Sequence, residues 1–114
     1  MKDKLLENIN DLFDSYNLFG GNRKKNIDKM KQMMPDITEE DVKEVLDYLE
    51  GFYRYCSKYG DKLADKYKAP CLPWNDEAEK DIKEYVLLCQ EKYPEIDEEH
   101  IRELFSTICW LANR

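Results

Sequence analysis

The chain carries little of what catalysis or membrane insertion needs. It has one histidine, His100, and three serines, Ser15, Ser57 and Ser106, none set in a GxSxG frame. Gly20-Gly21-Asn22 lacks the GxxxxGK[ST] frame of a phosphate loop. The cysteines, Cys56, Cys71, Cys89 and Cys109, form no CxxC pair. No apolar run approaches the roughly 18 residues of a membrane span, and Met1 to Asn8 has no apolar core of a secretory signal. A strand pattern of alternating apolar and polar residues is missing too. These absences argue against common hydrolase and nucleotide-binding frames. They predict a cytoplasmic chain without a membrane partner, its thiols reduced and packed as small hydrophobes.

Charge and aromatics are plentiful. Charged residues make up 38% and apolar ones 42%, which suits helices with one apolar stripe each. The net charge of −7 argues against phosphate backbones or anionic lipid as direct partners. Eight tyrosines and two tryptophans are many for 114 residues, and such rings enrich at binding surfaces.

One stretch recurs. Pro35-Asp36-Ile37-Thr38-Glu39-Glu40-Asp41-Val42-Lys43-Glu44-Val45-Leu46 returns 59 residues later as Pro94-Glu95-Ile96-Asp97-Glu98-Glu99-His100-Ile101-Arg102-Glu103-Leu104-Phe105. The proline, the isoleucine and three glutamates are identical, and only Asp41 against His100 changes character. Each copy reads as a helix start. Thr38 and Asp97 are N-caps. Ile37 with Val42, and Ile96 with Ile101, are spaced as hydrophobic staples. The glutamate pairs lie at the positive end of the helix dipole, and each proline marks the end of a preceding helix.

Apolar spacing predicts helices over roughly 2–16, 22–34, 38–59, 76–92 and 97–113. A break near Gly60, with a short helix over about 61–67, is expected because glycine lowers helix propensity by about 1 kcal/mol relative to alanine. Leu87 and Leu88 should broaden the core stripe of the fourth helix, and Leu111 and Ala112 should be buried in the fifth. The expected fold is all-α: a single domain over 1–114 of about five helices. It comprises two related hairpins, 22–59 and 76–113, a Pro-rich linker at 68–75, and an N-terminal helix closing the core. Phe19 in the Gly-rich turn, and Leu72 and Trp74 in the linker, are expected to fold back onto that core.

Chemistry is sparse in this pattern. His100 and Glu103 form a reversed His-x-x-Glu, short of the paired Glu-x-x-His motifs of a carboxylate-bridged metal centre. Cys109 lies nine residues from His100 on another side of the same helix. A helix-turn-helix DNA reader is disfavoured. Residues 36–50 carry seven acids and one lysine, and residues 76–103 carry eleven acids and four bases. The one basic run, 23–31, is short. The expectation is a non-enzymatic protein-interaction domain without cofactor or metal, of bacterial or phage origin. In its sharper form it is an inhibitor of the immunity or anti-CRISPR type, docking acidic helices on a nucleic-acid enzyme or toxin. The expected partner-binding residues are Glu39, Glu40, Glu44, Glu98, Glu99 and Glu103, with Tyr48, Tyr55, Tyr59 and Trp110; these last also suit a homodimer contact. His100, Glu103, Thr107 and Trp110 are expected on one outer side of the last helix. The rival expectation is an enzyme or metal-binding helical domain using His100 and nearby carboxylates.

Overall fold

Pro35 and Pro94 set the frame, because each forces the residue before it out of the helix. The computed structural model of the chain describes residues 9–10, 23–68 and 75–113. Four helices are bounded among them: α1 (Arg23–Met33), α2 (Glu39–Tyr67), α3 (Asp76–Lys92) and α4 (Glu98–Asn113). No strand occurs among the described residues. Of the predicted helix 2–16, only Ile9 and Asn10 are described; both are helical, and Ile9 is buried. Phe19, Cys71, Leu72 and Trp74 lie outside the described residues.

The two proline turns close with the same backbone bonds. After α1, the Met34 amide donates to the Met30 carbonyl (2.9 Å) and the Ile37 amide to Met34 (3.0 Å). After α3, the Tyr93 amide donates to Cys89 (2.8 Å) and the Ile96 amide to Tyr93 (3.1 Å). The first bonds of the following helices, Val42 to Thr38 (2.9 Å) and Ile101 to Asp97 (3.2 Å), match as well. Thr38 caps α2, its Oγ1 accepting from the Asp41 amide at 3.1 Å. Asn75 caps α3, its Oδ1 accepting from the Ala78 amide at 2.8 Å. Each cap satisfies a first-turn amide that has no partner inside the helix.

The chain divides into two compact units, one ending at Tyr53 and the other starting at Arg54, so the boundary falls inside α2. The first unit buries Ile9, Met30, Val42, Val45, Leu46, Leu49 and Phe52. Along α2 these recur at three and four residues, the period that keeps one face inward. The second unit packs the end of α2, α3 and α4 together. Tyr67 meets Asp81 near the start of α3, and Tyr55 meets Tyr93 just past its end, so α2 and α3 run antiparallel. Gly60 faces Ile108, and Ala64 faces Asn113, so α2 and α4 run parallel. Leu63, Ile82, Val86, Leu104, Phe105 and the thiols of Cys56, Cys89 and Cys109 fill this core.

Several expectations are corrected here. No break occurs at Gly60: α2 continues to Tyr67. A Cβ built on Gly60 would lie 2.6 Å from the Ile108 Cδ1 and 3.2 Å from its Cβ. Glycine therefore serves the close approach of two helices rather than a turn, and packing outweighs its propensity cost. Leu87 and Leu111 are exposed (67% and 43%), and so is Ala112. Leu87 falls outside the row Ala78, Ile82, Val86, Cys89 that faces the core. Leu111 and Ala112 come one turn beyond the last buried pair, Ile108 and Cys109. His100 is buried rather than grouped with Glu103 and Trp110 on the outer side.

Candidate functional site

The acidic first turns follow directly from the caps. Once Thr38 fixes the start of α2, Glu39 and Glu40 occupy amide-rich positions and point to solvent, both exposed. Glu44 and Tyr48 continue the row from Glu40 at four-residue spacing and are half-buried. In the second unit Glu98, Glu99 and Glu103 are exposed on α4. Glu99, Glu103 and Trp110 fall along one side, and Trp110 is 50% exposed. The expected residues thus form one acidic row in the first unit and one acidic–aromatic row in the second. Glu39 lies 3.7 Å from Lys31, and Glu98 lies 2.9 Å from Arg102.

Tyr55 and Tyr59 belong to a different arrangement. Tyr59 is buried, against the expectation of a surface ring. Tyr55 meets it edge-on at 6.0 Å and meets Tyr93 at 6.0 Å, while Tyr59 lies 5.1 Å from Tyr85. The Lys58 ammonium sits over both Tyr55 (4.1 Å) and Tyr59 (5.0 Å). Lys92 reaches the Tyr55 ring at 4.4 Å, and Lys62 reaches Tyr59 at 5.6 Å. Four tyrosines and three lysines therefore share one face of α2 and α3. The hydrogen bond to Tyr59 is the first cause of a raised Tyr55 phenol pKa, ahead of partial burial. The sequence carries a trace of this cluster in the interleaved order Tyr55, Lys58, Tyr59, Lys62. The share from α3 needs the antiparallel pairing and is not readable from spacing alone.

Beside this face, two ion clusters tie the helices together. Asp81 accepts from the Lys66 ammonium (2.7 Å) and the Tyr67 hydroxyl (2.6 Å), and Glu77 lies 3.1 Å from the same ammonium. The Lys66 bond, then the Tyr67 bond, holds the Asp81 carboxyl below the usual range. Arg102 reaches from α4 to Glu79 on α3, and this bond lowers the Glu79 carboxyl in the same way. Within the core, the Cys56 thiol is pushed far up, first by its hydrogen bond to Cys89 and then by burial. A protonated, buried thiol is a poor nucleophile.

The first unit has a shallow cleft of about 300 Å³, lined by Ile27, Lys31, Glu39, Val42, Lys43 and Leu46. His100 shows no cluster around it that would hold a metal: no group of three or more His, Cys, Asp or Glu is so arranged among the described residues. Nor is any helix among them long and apolar enough to cross a membrane. Compared with known proteins, the chain matches no family model, no curated protein and no solved structure.

Proposed function

We propose that this all-helical chain is a non-enzymatic interaction protein that docks its acidic helix starts on a protein partner. The observation that carries it is the exposure of Glu39, Glu40, Glu98 and Glu99 on two helix first turns, that of α2 capped by Thr38. Capping fixes the backbone beneath the carboxylates, so little ordering is lost when a cationic surface meets them. Trp110, half-exposed beside Glu99 and Glu103, supplies the stiff apolar area that charged rims lack. The sharper form is an inhibitor that occupies the basic channel of a nucleic-acid enzyme or toxin. Within this reading the two hairpins are a repeat of one unit inside a single domain, with a fifth, N-terminal helix. Three equivalent backbone bonds at each proline turn support the repeat. Three free, buried cysteines suit a reducing cytoplasm.

The test is capture of partners from a lysate of the source cells on immobilised chain, at about 50 mM and about 500 mM salt, because screening shortens the reach of exposed charges. Wild type should hold its partner at low salt and release it at high salt. Glu39→Lys/Glu40→Lys, or Glu98→Lys/Glu99→Lys, should capture nothing while circular dichroism stays unchanged. A partner held equally well by both reversed chains would sink the proposal.

A further inference from the structure

We infer that the Tyr55–Lys58–Tyr59–Lys62–Lys92 face is the receptor for the acidic first turn of α2 on a second copy of this chain. This rests on the acidic turns being docking elements and names one partner for them. The lysines carry the inference. Lys31, Lys66 and Arg102 each lie within ion-pair distance of a carboxylate. Lys58, Lys62 and Lys92 have none among the described residues; their contacts there are tyrosine rings. Other lysines also lack an ion pair among the described residues; what sets these three apart is that they gather over tyrosine rings on one face of a chain with seven more acids than bases. The rings position the ammoniums and leave their outer hydrogens for an anion.

The occupant follows from charge and geometry. Residues 54–68 carry five bases and two acids, whereas residues 39–53 carry six acids and one lysine. Lys58 and Lys62 are one helical turn apart, and the exposed Glu39 and Glu40 of the α2 start present adjacent carboxylates to such a pair. Lys58 and Lys92 cover Tyr55, and Tyr59 is buried, which leaves neither α2 ring open for a stacked base. Carboxylates of a helix start suit this face better than a nucleic acid does. Each copy owns one acidic turn and one cationic face, so copies of the chain carry both halves of the contact. Exposed ion pairs are individually weak, so the dimer is salt-sensitive and concentration-dependent.

Sedimentation of the full chain across a concentration series tests this, at about 30 mM and about 500 mM salt. Wild type should dimerise at low salt, and the association should weaken at least about tenfold at high salt. Glu39→Lys/Glu40→Lys and Lys58→Glu/Lys62→Glu should each be monomeric alone, with unchanged circular dichroism. An equimolar mixture of the two should recover the dimer, because each reversed element then meets an opposite charge on the other chain. A monomeric wild type at low salt overturns the inference. So does a reversed variant that still dimerises, or a mixture that does not recover. Binding of a fluorescent single-stranded oligonucleotide to a monomeric wild type, lost in Lys58→Glu/Lys62→Glu, would assign the face to phosphate instead. If wild type stays monomeric yet its charge-dependent capture from lysate persists, only the homotypic inference falls. If Glu39→Lys/Glu40→Lys affects neither assay and Glu98→Lys/Glu99→Lys leaves capture unchanged as well, both fall.

Discussion

The two proline turns share a backbone and differ in what surrounds it. In the first unit Ile37 is half-buried, and a long, exposed contact, Lys31 to Glu39, crosses between α1 and α2 beside an open cleft. In the second unit Ile96 is buried, the Gln90 amide donates to its carbonyl, and Arg102 ties α4 to Glu79 on α3. Lys43 is the counterpart of Arg102 at the 59-residue offset, and it lines the cleft instead of bridging. The same backbone bonds therefore accompany an open turn in one place and a closed one in the other. The neighbours available to each staple residue decide which.

Truncating the staple isoleucines should show this difference most strongly. Ile96→Ala removes a fully enclosed side chain and should cost about 3 kcal/mol, within the range for buried Leu or Ile to Ala. Ile37→Ala, at the open turn, should cost about 1 kcal/mol because water already reaches the site. Chemical denaturation of both variants checks the pair. Equal losses would mean that the two turns are packed alike.

The second unit's tightness also rests on Gly60. Gly60→Val would press two methyl groups onto Ile108 and should cost about 2 kcal/mol, typical of overpacking. Gly60→Ala is the informative contrast. Its helix-propensity gain of about 1 kcal/mol opposes a milder clash, so its net effect should be small. If Gly60→Val instead leaves the denaturation midpoint unchanged, the approach of α2 to α4 is looser than 2.6 Å implies.

Gly60 also marks where the sequence stops being legible. Helix type, the proline-bounded starts and the buried stripe of α2 follow from local rules, since capping and periodicity act within a few residues. Whether a glycine breaks a helix or admits a neighbour depends on Ile108, 48 positions away in sequence. The acidic turns are legible for the same local reason: Glu39 follows the Thr38 cap, and Glu98 opens α4 just after Asp97, whose carbonyl takes the first helical bond. The tyrosine–lysine face was only half legible. Tyr55, Lys58, Tyr59 and Lys62 are neighbours along α2, but Tyr85, Lys92 and Tyr93 join them only through tertiary pairing. His100 and Asp41, the one unlike pair in the repeat, are both buried. That burial separates His100 from the exposed row of Glu103 and Trp110, with which spacing alone groups it.

The smallest expected effect concerns pH, and its sign follows from the ion clusters of the second unit. Asp81 is held below its ordinary value first by Lys66 and then by Tyr67, and Glu79 is held low by Arg102. A carboxyl lowered on folding contributes stability that is present above its unfolded value, about 4, and is lost as pH falls through the folded value. The second unit should therefore lose stability below about pH 4. Glu79 is 41% exposed and the Lys66 partner of Asp81 47% exposed, so solvent screens both pairs and the contribution is modest. Asp81→Asn should lower the thermal midpoint near neutral pH and flatten the acid limb, so that variant and wild type converge as pH falls. Glu39→Gln, which removes the long exposed pair of the first unit, should change the neutral midpoint less than Asp81→Asn does. Thermal melts of the three proteins at several pH values decide it. If the Asp81→Asn deficit stays constant down to the lowest pH, the Lys66–Asp81–Tyr67 cluster does not supply the acid-sensitive part of this unit's stability.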